Sequence, residues 1–278
     1  MRRARTVKAL REAVAEWRAA GERVALVPTM GALHAGHIAL VKAGRRRARR
    51  VVVSIFVNPA QFGPNEDFGR YPRTLPADLA KLEDAGADLA YTPTVEEIYP
   101  PGFATTVTLA GPALGLETDF RPGHFAGVAT VVAKLFTQAA PDYAMFGEKD
   151  YQQLQVVTRM ARDLDLPLKV IGVPTLREPD GLALSSRNVY LSPQERSTAP
   201  LLITVLREAA AAITSGAPID TTMEAARARV TAGGFVLDYL DARHAATLAP
   251  IASASEGPIR LLVAAKLGRT RLIDNIPV

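Results

Sequence analysis

The α/β class is predicted for this 278-residue chain by three features: short β-branched runs, segments of helical spacing that alternate with them from Val24 to Val173, and a change of character beyond Pro174. Strands that alternate with helices imply parallel pairing, with both faces of the sheet covered. The expected architecture is therefore a Rossmann-like parallel sheet with helices on both faces over residues 1–175. A smaller C-terminal α+β lid domain is expected over 176–278. In such sheets ligands lie at the carboxyl ends of the strands, so the loops that follow strands carry the functional reading.

Each element follows from local pattern. Val7, Leu10, Val14 and Trp17 recur at helical spacing between Thr6 and Ala20, and Gly21 is a natural stop. The runs Val24–Val27 and Val51–Val57 read as strands flanking a helix from His37 to Arg49. The alternation continues with a helix at Leu75–Asp84, a strand at Leu89–Thr92, a helix at Val128–Ala139 and a strand at Tyr143–Phe146. A helix at Gln152–Leu164 and a strand at Leu168–Val173 complete it. Ser192-Pro193-Gln194-Glu195 has the form of a capping box, with proline at the first helical position, and predicts a long helix to about Ser215. A second helix at Met223–Ala232 and strands at Val236–Leu240 and Ile259–Ala264 follow.

Composition narrows the chemistry. The absence of cysteine removes disulfides, thiolate nucleophiles and Cys-based metal sites. The basic N-terminus lacks the uninterrupted apolar stretch of a secretory signal, and no segment is apolar for long enough to span a bilayer, so the cytoplasm is the expected location. A formal net charge of +5 favours anionic partners. Arg45, Arg46, Arg47, Arg49 and Arg50 form a cluster that could grip nucleic-acid phosphates. They also sit where a helix is expected to end, where cations complement its dipole, and that reading is preferred, so no nucleic-acid partner is expected.

Four loops carry the candidate chemistry. Pro28-Thr29-Met30-Gly31-Ala32-Leu33-His34-Ala35-Gly36-His37 lies between a strand and a helix. Its H-x-G-H places two imidazoles and a helix N-terminus where an α-phosphate could approach the backbone at Gly36. The two histidines could instead only cap the helix. In Asn58-Pro59-Ala60-Gln61 the amides suit a substrate bearing hydroxyl and carboxylate groups, although a plain turn explains Asn58 and Pro59 as well. In Gly147-Glu148-Lys149-Asp150, lysine can neutralise phosphate and aspartate can accept from ribose, or Asp150 is a helix N-cap. Leu184-Ser185-Ser186-Arg187-Asn188 offers hydroxyls and a guanidinium for phosphates, or is a polar linker. Arg121 and His124, in FRPGHF, rank below these.

The ordered fragments PTMGALHAGH, FVNPAQFG, RPGHFAGV, FGEKDYQQL and GLALSSRN resemble the pantothenate synthetase family, with a weaker continuation in RLLVAAKLGRTRLIDNI. HAGH and LSSRN then correspond to HIGH-type and KMSKS-type elements. The resemblance implies ATP-dependent joining of pantoate to β-alanine through a pantoyl adenylate, with AMP and diphosphate released and Mg2+ on the phosphates. It implies that Met30 to His37, Gly147 to Asp150, Leu176 and Leu184 to Arg187 contact ATP. His34, His37, Lys149, Ser185, Ser186 and Arg187 would be the catalytic set, with His37 as acid. Gln61 and Gln153 would hold pantoate, and Asn58 joins them as a substrate-binding residue. Homodimerisation is implied as well. Asp78 is a conceivable metal ligand, but no protein ligand to metal is assigned. The rival readings are another H-x-G-H nucleotidyltransferase, which would leave a nucleotide on its product, and an RNA-binding protein built on the arginine cluster.

Overall fold

The computed structural model describes residues 1–64, 66 and 68–278. In chain order the first part comprises β1 (Arg2–Ala4), α1 (Val7–Ala19), β2 (Val24–Thr29), α2 (Ala35–Arg45), β3 (Arg50–Ile55), α3 (Leu75–Asp84) and β4 (Leu89–Tyr91). It continues with α4 (Val95–Ile98), α5 (Glu117–Phe120), α6 (His124–Ala139), β5 (Tyr143–Gly147), α7 (Tyr151–Asp163) and β6 (Lys169–Val173). The strands form one parallel sheet in the order β1-β4-β3-β2-β5-β6.

Alternation along the strands sorts the side chains to two faces. Val24 and Leu26 pack with α1, α6 and α7, whereas Ala25 and Val27 pack with α2 and α3. The order of the strands reverses between β2 and β5, which is where a parallel sheet opens a binding crevice. These two strands are in register only at Ala25–Leu26, opposite Tyr143–Ala144, so their carboxyl halves diverge. Pro28, with no N–H to give, falls in the half unpaired with β5.

The second part contains α8 (Pro193–Thr198), α9 (Leu201–Thr214), α10 (Ile219–Ala232), β7 (Val236–His244), β8 (Ile259–Leu267) and β9 (Thr270–Pro277). The three strands form an antiparallel sheet in that order, and α9 and α10 pack on it around their own apolar core. Ser192 caps α8 in the expected capping box: its side chain accepts from the N–H of Glu195 at 3.3 Å, and Glu195 accepts from the N–H of Ser192 at 2.7 Å.

Several expected elements differ. The long helix after Ser192 is two, because Pro200 cannot donate the backbone bond that would carry α8 into α9. The helix expected to reach Arg49 ends at Arg45, and the one expected from Val128 starts at His124. Strands β1 and β9 were not expected; β1 is three residues long and exists through its pairing with β4. The arginine cluster is largely a structural fastening. Arg45 and Arg50 pair with Asp88, and Arg49 and Arg50 with Glu22. Among the described residues no helix is long and apolar enough to cross a membrane.

Candidate active site

A cleft of about 220 Å3 opens at the divergent ends of β2 and β5. Met30, His34, Gly36 and His37 line it from the first loop, Asn58 and Gln61 from the second, and Gly147, Lys149, Asp150 and Gln153 from the third. Leu176 and Leu184 to Arg187 close it. Four loops distant in sequence thus meet in one space. A larger cavity of about 600 Å3 between the two sheets shares Lys149, Asp150, Gln153, Ser185 and Arg187 with it, so the two spaces adjoin.

The first loop is built to present its histidines. Asp78, buried completely at the start of α3, accepts from the N–H groups of Ala32 (3.0 Å) and Leu33 (2.8 Å) and from the Thr74 hydroxyl (3.1 Å). Lys81 donates to the Leu33 carbonyl at 2.6 Å. Asp78 therefore supports the turn, its oxygens occupied by protein donors. Gly31, at φ +84, makes the turn where a Cβ would meet Asp78 Oδ2 and Ile55 Cγ2 at 3.2 Å each.

His34 is the N-cap of α2. Its Nδ1 accepts from the Gly36 N–H at 3.1 Å, while Nδ1 of His37 accepts from the His34 N–H at 3.2 Å. The capping alternative is thus realised, and it leaves both rings in the cleft, centroids 4.1 Å apart. Because each Nδ1 accepts, a neutral ring carries its proton on Nε2. Burial, reinforced by the Lys149 charge, lowers His34 to about 4. Burial, then His34 and Lys149, lowers His37 to about 3. At neutral pH both are uncharged Nε2–H donors.

The second loop sorts its amides. Asn58, 1% exposed, has every polar position engaged: Nδ2 donates to Gln61 Oε1 (3.1 Å) and the Gly127 carbonyl (3.2 Å), and Oδ1 accepts from Ala60 N–H (3.3 Å) and the Tyr99 hydroxyl (2.7 Å). Asn58 thus lines the cleft with its amide tied to Gln61 and to the α6 backbone. His124 Nδ1 lies 2.9 Å from the Gln61 carbonyl and its Nε2 lies 3.2 Å from Arg121 Nη1. Burial and the Arg121 charge lower His124 to about 4. Arg121 is in turn forked onto Glu66 at 2.8 and 2.6 Å. Arg121 and His124 therefore brace the Gln61 backbone.

In the third loop Asp150 precedes α7 yet makes no side-chain cap bond, so the simple capping alternative fails. Lys149 approaches it at 3.8 Å. Gln152 points inward, bonded to Glu117 N–H and to the Pro112 and Gly115 carbonyls, whereas Gln153 lines the cleft. In the fourth, Ser185 accepts the Arg187 N–H at 3.2 Å and thereby turns Ser186 and Arg187 into the cleft.

Not every expected contact reaches the space. Gly31, Ala32, Leu33, Ala35 and Glu148 do not line it; Leu33 is in the core beneath the loop, and Glu148 turns to Arg260. Conversely Tyr71, Thr175 and an apolar wall of Val128, Val131, Val132 and Leu135 from α6 line the cleft without having been singled out. Gly127, inside α6, was also missed, although an isolated glycine in a helix is a signal of close approach. A Cβ there would lie 2.2 Å from the Ala60 carbonyl oxygen.

The family profile described as "Pantoate-beta-alanine ligase" matches residues 2–277. The chain is 63% identical over 276 residues to a protein named pantothenate synthetase from Rhodopseudomonas palustris strain BisA53, covering 99% of this chain and 98% of that one. The fold superposes with a TM-score of 0.93 on a pantothenate synthetase crystal structure from Thermus thermophilus at 51% identity, covering 99% of both chains. It is also similar, at a TM-score of 0.83 and 33% identity, to a Francisella tularensis pantoate-beta-alanine ligase complexed with beta-gamma ATP and beta-alanine, covering 100% of this chain and 97% of that one.

Proposed function

Since this chain belongs to the pantoate–β-alanine ligase family, we propose that the cleft between β2 and β5 is where it uses ATP to activate pantoate and then joins it to β-alanine. The observation that carries this reading is the meeting of His34, His37, Gln61, Lys149, Gln153, Ser186 and Arg187 around one space. In the first step a pantoate carboxylate oxygen forms a bond to the α-phosphorus of ATP, the bond from that phosphorus to the bridging oxygen breaks, and diphosphate leaves. In the second, the β-alanine amine attacks the acyl carbon of the adenylate, the acyl carbon–oxygen bond breaks, and AMP leaves with the bonding pair while the amine gives up a proton.

The protein supplies position and charge. The Nε2–H groups of His34 and His37 donate to the phosphates, with the α2 N-terminus behind them. His37 contributes as a neutral donor, which refines its expected role as an acid. Lys149, the Ser185 and Ser186 hydroxyls and Arg187 receive the departing diphosphate charge. Gln61 and Gln153 hold pantoate's hydroxyls and carboxylate, and the valines of α6 receive its dimethyl carbon.

Magnesium would fit as a companion of the triphosphate and would supply charge neutralisation there when bound. Among the described residues no cluster of three His, Asp or Glu side chains offers a cage, Asp78 is committed to its loop, and Asp150 is the carboxylate lining the cleft. The segment 176–278 acts as a lid over the nucleotide, in a cytoplasmic homodimer; sedimentation tests the dimer.

Replacing His37 by alanine lowers pantoate-dependent exchange between diphosphate and ATP by about a hundredfold with the fold intact. AMP release with β-alanine falls in parallel. Undiminished exchange in that variant overturns the assignment.

A further inference from the structure

The turn that bears Lys149 lacks a side-chain cap of its own, since neither Gly147 nor Asp150 provides one. Its backbone is held from the antiparallel sheet. Asn275 of β9, 3% exposed, donates through Nδ2 to two consecutive carbonyls, Glu148 at 2.9 Å and Lys149 at 2.8 Å. Its Oδ1 accepts from Nε of Arg260 at 2.7 Å. Two acceptors on one side and a donor on the other leave one possible orientation for this amide.

Arg260 of β8, 7% exposed, completes the bracket. Its Nη2 reaches Glu148 Oε2 at 3.3 Å, and its guanidinium carbon lies 4.1 Å from the centre of the Tyr151 ring. Asn275 is itself steadied by its neighbour: Asp274 accepts the Asn275 N–H at 2.8 Å and is forked by Arg177 at 2.7 and 2.8 Å. Residues 148–151 are thus gripped from the second sheet, while Lys149 and Asp150 among them face the reaction cleft. Among the described residues the lysine ammonium has one ion-pair partner, Asp150 at a loose 3.8 Å, so the base of its flexible stem is set by the backbone.

From this juxtaposition we propose that Asn275, oriented by Arg260, is a positioning residue for adenylate formation, fixing the Glu148 and Lys149 backbone so that the Lys149 ammonium meets the phosphates. The proposal rests on the reading of Lys149 as a phosphate ligand given above. It makes the C-terminal sheet a working part of the first chemical step as well as a cover. A displacement of about 1 Å in a positioning group can cost on the order of a hundredfold in rate, which is ample for a measurable effect.

The test is pantoate-dependent ATP–diphosphate exchange in Asn275→Ala, Lys149→Ala and the double variant, with kcat and KM measured separately. N275A should lower kcat by about tenfold or more while the pantoate KM stays within about twofold. In the K149A background the same change should add less than about twofold, because a residue that acts through Lys149 has nothing left to position. R260K keeps a cation beside Glu148 but loses the Nε–H that orients Asn275; it should show a smaller loss in the same sense, and it carries the cycle if N275A is not recovered folded. Exchange within about twofold of wild type in both N275A and R260K, or effects that multiply in the double variant, overturns the proposal. Unchanged exchange in K149A alone overturns the Lys149 assignment, and this inference with it, and is told apart by that single variant.

Discussion

Gly36 lies beneath the ring it serves. A Cβ at this position would come within 2.8 Å of His34 Cε1 and 2.9 Å of Nδ1, and the Gly36 N–H is the donor that holds that Nδ1. Glycine is therefore required here by its histidine neighbour, a reason additional to the close approach of a phosphate. Since only a side chain is in the way, Gly36→Ala should leave the fold standing and swing the His34 imidazole out of the cleft. Exchange activity should fall by about tenfold or more, with an unfolding midpoint shifted by no more than about 1 kcal/mol in stability. Full activity in that variant would show that the ring pose is not needed. Asn58 and Gln152 show a related point at neighbouring loops, for each amide is tied to backbone groups of a distant segment.

At the scale of elements, α6 acts on the substrate loop through close packing. The Cβ that Gly127 lacks would sit 2.2 Å from the Ala60 oxygen, 2.5 Å from its carbon and 2.7 Å from the Gln61 nitrogen, all backbone atoms that cannot step aside. Gly127→Ala should therefore push residues 59–61 away from α6, costing about 1–3 kcal/mol of stability as overpacking does. Because Gln61 moves with its backbone, the pantoate KM should rise by about tenfold. Denaturant melts and steady-state kinetics on the same preparation check both, and a destabilised variant with an unaltered pantoate KM would separate α6 from substrate binding. His124, at the start of α6 and backed by Arg121 and Glu66, meets the Gln61 carbonyl one turn away from Gly127, so the helix holds the loop at two neighbouring points.

For the whole molecule, three imidazoles, those of His34 and His37 half-buried and that of His124 buried, tie stability to pH. His34, His37 and His124 have folded values of about 4, 3 and 4, below the ordinary 6.5. The unfolded chain thus binds more protons than the folded one once the pH drops below about 6.5. The stabilising contribution is present above that pH and is lost as the pH falls toward the folded values. Between pH 6.5 and 5, before the carboxylates of Glu66 and Glu117, themselves held low, begin to protonate, the slope should reach up to about 1.4 kcal/mol per pH unit for each histidine. Denaturant midpoints at pH 7, 6 and 5 measure this, and a flat profile would show the three rings to be ordinary. The two sheets are joined by a contact that carries no titrating group, the Asn275 amide on the carbonyls of the Lys149 turn.

Local pattern determined five of the six strands of the parallel sheet, its longer helices and the loops that hold the chemistry, because alternation, helical spacing and capping residues are properties of short segments. The α8 capping box was legible from four residues, whereas the helix stop at Pro200 was masked by the longer apolar pattern around it. Strand β1 was not legible at all, since three residues gain their structure from a partner nearly ninety positions away. Tertiary structure alone decided which amides face the cleft, that Asp78 serves a turn, and that Asn275 reaches the Lys149 loop. The physical reason is that a polar side chain's role depends on which of its hydrogen bonds remain open, and that is settled by neighbours brought from far along the chain.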